Sequence, residues 1–174
     1  MKLDERARNV ELILADVDGV LTDGGIVFDN QGIETKKFHV RDGLGIRLWQ
    51  RAGYKFGILT ARTSHIVKVR ATELNVDVVR QGFEDKLPVV KELLAELELE
   101  AAQLCFIGDD LTDLAAIQVA GFGVAVADAV EEVRQAAAYT TKIQGGQGAV
   151  RETVETLLKA KKRWDDIVRK YQAP

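Results

Sequence analysis

The chain has one cysteine in 174 residues, Cys105, so it forms no disulfide within itself and has no cysteine cluster to hold a metal. Cys105 lies inside the apolar run from Leu104 to Ile107, where a buried structural thiol is the expected role. Two histidines, His39 and His65, stand far apart in sequence, and neither is assigned to a metal. No apolar run reaches the roughly 18 residues that a membrane span requires, and no secretory leader is recognisable. The expected compartment is therefore the cytoplasm. Positive charge is not in surplus either: 24 Lys and Arg face 27 Asp and Glu, for a net charge of −3. That balance argues against a nucleic-acid surface and against a membrane surface. No long insertion breaks the chain, and 47% apolar content fills one real core, so one domain over residues 1–174 is expected.

Strand-like runs alternate with helical periodicity almost throughout, the pattern of an α/β fold with a Rossmann-like, doubly wound parallel sheet. Strands are predicted at Glu11 to Asp16, Lys55 to Thr60, Asp77 to Arg80, Leu104 to Gly108 and Gly123 to Val126. Asp42 is placed to cap a helix carrying Leu44, Ile46, Leu48 and Trp49, and Leu87 to Leu97 repeats apolar residues at helical spacing. After the first strand, Ile26 to Phe28, a polar turn at residues 29–32, and Ile33 to Val40 read as a β-hairpin. This segment, 26–39, is a flap of the size that shields a small site. The tail, 148–171, is amphipathic, and Gly145-Gly146-Gln147-Gly148 before it is a flexible joint or a close backbone approach.

The chemistry is concentrated at strand ends. The first strand finishes in Asp16-Val17-Asp18-Gly19, two carboxylates that repel unless a cation intervenes. Mg2+ prefers oxygen ligands and keeps several waters, so one or two carboxylates and a substrate phosphate suffice to hold it. The second strand ends in Thr60-Ala61-Arg62, a hydroxyl, free amides and a guanidinium suited to phosphate oxygens. Lys86 opens a helix after the third strand, and the fourth runs into Gly108-Asp109-Asp110-Leu111-Thr112-Asp113. Helix capping accounts for one of those three aspartates, not for all of them.

In this order the motifs resemble the haloacid dehalogenase superfamily over nearly the whole chain, and the small flap resembles its capless branch. The resemblance implies Mg2+ and an aspartyl-phosphate intermediate. It implies Asp16 as nucleophile, Asp18 as general acid and base, and Thr60 and Lys86 as ligands of the transferring phosphoryl group. Asp16, Asp18 and Asp109 would ligate the metal, with Asp110 and Asp113 supporting it. Residues 37–46 and 145–152 are similar to those of 3-deoxy-D-manno-octulosonate 8-phosphate phosphatases, enzymes of lipopolysaccharide biosynthesis that form homotetramers. That similarity implies a phosphorylated sugar acid as substrate, with Arg41, Asp42, Arg62 and Arg70 near it.

Three alternatives stand beside this reading. Phosphatases of nine-carbon sugar acids share the architecture, although some are expected to carry glutamate where Arg62 stands. Receiver domains of signalling systems also combine an acidic pair, Thr, Lys and Mg2+, but place the acceptor aspartate on a middle strand, after the acidic pair. A catalytically idle subunit is the third. Ala61 departs from a glycine common in the phosphatases, and the tail is unusually basic.

Overall fold

The computed structural model describes residues 2–172; positions 1, 173 and 174 of the expected domain lie outside the described residues. A six-stranded sheet runs in the order β5-β4-β1-β6-β7-β8. Its members are β1 (Leu12–Ala15), β4 (Lys55–Thr60), β5 (Val78–Gln81), β6 (Leu104–Gly108), β7 (Phe122–Ala125) and β8 (Tyr139–Thr140), and every neighbouring pair is parallel. This is the expected α/β, doubly wound sheet. Leu12, Ile13, Leu14 and Ala15 have no exposed surface, which fits a strand covered by helices on both faces.

Helices α1 (Leu3–Asn9), α2 (Val40–Arg51), α3 (His65–Glu73), α4 (Lys86–Glu96), α5 (Leu114–Val119), α6 (Glu131–Ala136) and α7 (Ala149–Ala160) flank the sheet, and α8 (Trp164–Gln172) follows α7. The flap is a separate pair of short strands, β2 (Val27–Phe28) antiparallel to β3 (Glu34–Thr35). Register is in step at the centre: Ala15 pairs with Ile58 on one side and Ile107 on the other. The carboxyl ends of β1, β4 and β6 therefore open on one edge, where the chain reverses direction across the sheet and ligands bind in folds of this kind.

Four features correct the sequence reading. The strand predicted from Ile33 to Val40 pairs only over Glu34–Thr35, and Val40 begins α2 with His39 at the cap position. Asp42 does cap a helix, but not its own: its Oδ1 accepts the amide of Arg151 at 2.7 Å, in the first turn of α7. The reason is that the residue at the cap position of α7 is Gly148, which has no side chain to satisfy the free amides, while Asp42 points inward against them. Two elements went unread, α1 and the two-residue β8, the latter too short for periodicity to register. The tail, read as one amphipathic stretch, is two helices, broken where Lys162 takes φ of 57°.

The Gly145-Gly146 segment is a close approach. Gly146 donates to the carbonyl of Val20 at 2.9 Å with φ of 65°, and a side chain there would collide with Thr22 and Asp23. This contact braces the loop after β1 from behind.

Candidate active site

The loop after β1 is built around one carbonyl. Val17 accepts the amides of Val20, Leu21 and Thr22 at 3.2, 2.9 and 2.9 Å, which turns the chain sharply beyond the strand. Gly19 makes this possible with φ of 87°, and its missing side chain leaves room for Asp109. Asp16 remains anchored to the sheet because its amide donates to Ile107 at 3.0 Å. Its carboxylate is held on both oxygens: Oδ1 accepts the Val17 amide at 2.6 Å and Oδ2 faces Lys86 Nζ at 2.6 Å.

Lys86 reaches Asp16 because one turn folds the chain back over the end of β4. The amides of Gly82 and Phe83 both donate to Thr60, at 3.0 and 3.2 Å, folding the chain back after β5 so that α4 begins beside β4. The Lys86 side chain is fully buried, ion-paired to Asp16 and hydrogen-bonded to Asp113. Burial works against its ammonium, but the two carboxylates outweigh that and hold its pKa above the ordinary lysine value. Thr60, the last residue of β4, is 2% exposed at the same edge.

The strand-end cluster after β6 divides its aspartates by job. Asp113 is wholly buried and accepts the Asp109 amide at 2.9 Å while holding Lys86. Asp110 is exposed and caps the short helical turn at Leu111–Asp113, accepting from the Leu111 amide at 2.7 Å. Asp109 has a buried Oδ1 with no hydrogen-bond partner. Burial, together with Asp113 and Asp16, pushes its carboxyl up to about 8. Burial and Asp113 likewise push Asp16 up to about 6, against the pull of Lys86.

These are the marks of a cation site. Asp16, Asp109 and Asp113 each present an oxygen within 4.8 Å of the others, and one of those carboxylates has an orphaned buried oxygen. A hard divalent ion fits that donor set. Asp16 and Asp113 each share Lys86 and accept a backbone amide, whereas Asp109 keeps the orphaned oxygen; Asp16 is also the less buried of the two that share Lys86. The Asp18 side chain is turned elsewhere: it pairs with Lys36 through Oδ1 and lies 3.6 Å from Arg62 through Oδ2.

Lys36 and Glu34 are site residues that the sequence reading missed. Glu34 accepts the Ser64 hydroxyl at 2.6 Å and pairs with Arg62 at 2.8 Å, which holds its pKa below the ordinary glutamate value, the Ser64 bond contributing most. The available signal was the spacing: residues two apart on an extended strand share a face. Of the four residues expected near a sugar acid, Arg62 joins the site. Arg41 is exposed on α2 beside Tyr139, Gln147 and Arg151, and Arg70 pairs with Glu73 at 2.7 Å under the Phe38 ring. Asp42 is 2% exposed and occupied by the Arg151 amide.

Known proteins carry the same arrangement of sequence and fold. Residues 56–152 match the family model of haloacid dehalogenase-like hydrolases. The 3-deoxy-D-manno-octulosonate 8-phosphate phosphatase of Yersinia pestis is 44% identical over 90% of this chain and 83% of its own. The crystal structure of that phosphatase from Moraxella catarrhalis, in complex with magnesium, phosphate and KDO, superposes with a TM-score of 0.96 at 40% identity, covering 98% of each chain. A cobalt-bound form from Haemophilus influenzae gives 0.91 at 34% identity, over 97% of this chain and 99% of that one. These matches close the receiver-domain alternative. With strand ends, acidic cluster and relatives in agreement, the chain belongs to the haloacid dehalogenase-like hydrolases.

Proposed function

We propose that this protein is a Mg2+-dependent phosphatase that hydrolyses 3-deoxy-D-manno-octulosonate 8-phosphate through a phosphorylated Asp16, within lipopolysaccharide biosynthesis. One observation carries the proposal: Asp16, Lys86, Asp109 and Asp113 converge at one strand edge of a chain 44% identical to a phosphatase of that name.

The chemistry follows from charge. A carboxylate approaching a phosphate dianion is repelled, so the equatorial oxygens need positive partners. Lys86, already beside Asp16 Oδ2, supplies one, and the Thr60 hydroxyl and the loop amides supply hydrogen bonds. Asp16 and Asp109 would hold the divalent ion, which when bound screens the phosphoryl charge. An Asp16 oxygen bonds to phosphorus as the bond from phosphorus to the sugar oxygen breaks. Asp18 gives its proton to that leaving oxygen and later takes one from the water that releases phosphate. Arg62, beside Asp18, is proposed to meet the sugar acid. Arg41 and Arg70 lie outside this cluster and are proposed to act only where a neighbouring subunit closes the site.

We also propose a homotetramer. The flap leaves Ile26, Val27, Phe28 and Ile33 each at least half exposed, an apolar surface that paired copies would cover. A phosphorylated sugar acid carries several negative charges and does not cross a bilayer, which supports a cytoplasmic enzyme. Among the described residues no helix is long and apolar enough to span a membrane.

The decisive experiment measures phosphate release from eight-carbon and nine-carbon sugar-acid phosphates and from neutral sugar phosphates, with Mg2+ and after EDTA. The eight-carbon ester should be the best substrate and EDTA should abolish release. A better nine-carbon ester, or release that survives EDTA, would overturn the assignment.

A further inference from the structure

The flap is fastened into the site by two side chains from one face of its returning strand. Glu34 takes the Ser64 hydroxyl at 2.6 Å and stands 2.8 Å from Arg62, while Lys36 pairs with Asp18 and stands 3.4 Å from Glu34. The neighbouring Lys37 points away, 69% exposed, and meets only Asp23. Lys36 differs sharply, with its side chain 1% exposed although it belongs to a surface hairpin. A lysine gives up that much hydration only where a counter-charge meets it.

The Asp18 carboxylate is thereby held at Oδ1 by the Lys36 ammonium, with the Arg62 guanidinium 3.6 Å from Oδ2 and not hydrogen-bonded to it. Asp16 has its own, separate clamp in the Val17 amide and Lys86. Four carboxylates (Asp16, Asp18, Glu34 and Asp113) share three cations (Lys36, Arg62 and Lys86), so Lys36 has no surplus charge to spend elsewhere.

We infer that Lys36 is a positioning residue for Asp18: the seated flap, pinned by Glu34 on Ser64 and Arg62, orients the Asp18 carboxyl toward the leaving oxygen of the ester. The inference rests on the proposed phosphatase reaction, in which Asp18 enters protonated, gives that proton to the oxygen as its bond to phosphorus breaks, and is left as the carboxylate that Lys36 meets. A group that transfers a proton tolerates little displacement, and a misplacement of about 1 Å costs on the order of 100-fold.

Leaving groups separate this role from general support of the fold. An aliphatic alkoxide needs its proton as it departs; p-nitrophenolate does not. Moreover kcat/KM reports the capture of phosphoryl by Asp16 alone and is blind to hydrolysis of the shared phospho-Asp16. The test compares kcat/KM for the eight-carbon sugar-acid phosphate, ribose 5-phosphate and p-nitrophenyl phosphate in wild type, Lys36→Met, Lys36→Arg and Glu34→Ala. For Lys36→Met the ratio of either sugar phosphate to the aryl ester should fall about 10- to 100-fold. Lys36→Arg should recover part of it, and Glu34→Ala, which frees the strand but leaves the ammonium, should shift it the same way. Should Lys36→Met fail to fold, the Glu34→Ala and Lys36→Arg ratios decide alone. Equal losses on all three esters, or none, would reject the role. A wild type that takes ribose 5-phosphate but not the sugar-acid phosphate would instead reject the substrate assignment, with the Lys36 ratio still readable on ribose 5-phosphate.

Discussion

Lys86 Nζ lies 2.6 Å from Asp16 Oδ2 with the lysine side chain entirely withdrawn from water. Removing one partner of a buried pair strands the other, at a cost of about 3–5 kcal/mol. Lys86→Met strands two carboxylates, Asp16 and Asp113. The variant should unfold at clearly lower urea and lose at least about 100-fold in kcat, as removal of a preorganised charge does elsewhere. Normal kcat in a destabilised variant would make Lys86 structural only.

Asp16→Asn keeps the shape of the side chain and one of its two acceptor oxygens, puts an NH2 donor in place of the other, and removes the nucleophile. Turnover should disappear while Mg2+ binding, followed by calorimetry, largely survives through Asp109. Full activity would exclude Asp16 as the attacking group.

The raised carboxyls make stability depend on pH in a definite sense. Asp16 at about 6 and Asp109 at about 8 keep protons in the folded state that the unfolded chain has already released. Their stabilising contribution is complete below about pH 4 and is lost as pH rises through those two values. A divalent ion takes the place of those protons, so the gain in melting temperature on adding Mg2+ to EDTA-treated protein should grow from about pH 5 to about pH 9. A gain independent of pH over that range would show that these carboxyls do not bind the ion.

The strand ends were legible in sequence because each is local. Asp16-Val17-Asp18, Thr60, Lys86 and Gly108-Asp109-Asp110 sit at the joints of apolar runs with helices, and a parallel sheet brings all such joints to one edge. Lys36 and Glu34 were not, because their partners Asp18, Arg62 and Ser64 are 18 to 30 residues away and no periodicity encodes the fold-over of a hairpin. Asp42 shows the opposite failure. Its position before Gly43 and Leu44 satisfied a local cap pattern, while the amide it caps belongs to Arg151, 109 residues on. The tail break was hidden for a third reason: it falls at Lys161-Lys162-Arg163, where neither glycine nor proline marks the left-handed turn at Lys162.

If the flap builds the tetramer, charge on it should take the assembly apart. Phe28 is 54% exposed and paired across the hairpin with Glu34. Phe28→Asp should shift the mass measured by light scattering toward the monomer without lowering monomer stability, since Phe28 lies outside the main core. An unchanged tetramer, or a wild type that is already monomeric, would discard the flap as the interface.

Asp42 offers a test of packing between α2 and α7. Its Oδ1 holds the Arg151 amide at 2.7 Å and its Oδ2 is buried without a partner, so burial raises the carboxyl above the ordinary aspartate value. Asp42→Ala leaves that amide unpaired and should cost about 1–3 kcal/mol in urea denaturation. Asp42→Asn preserves an acceptor and should cost less at neutral pH. Because a raised carboxyl gains stability as pH falls through its folded-state value, wild type should pull further ahead of the non-titrating Asn variant in acid. Equal costs for Ala and Asn at every pH would assign the effect to side-chain volume, and the Asp42 cap on α7 would lose its energetic meaning.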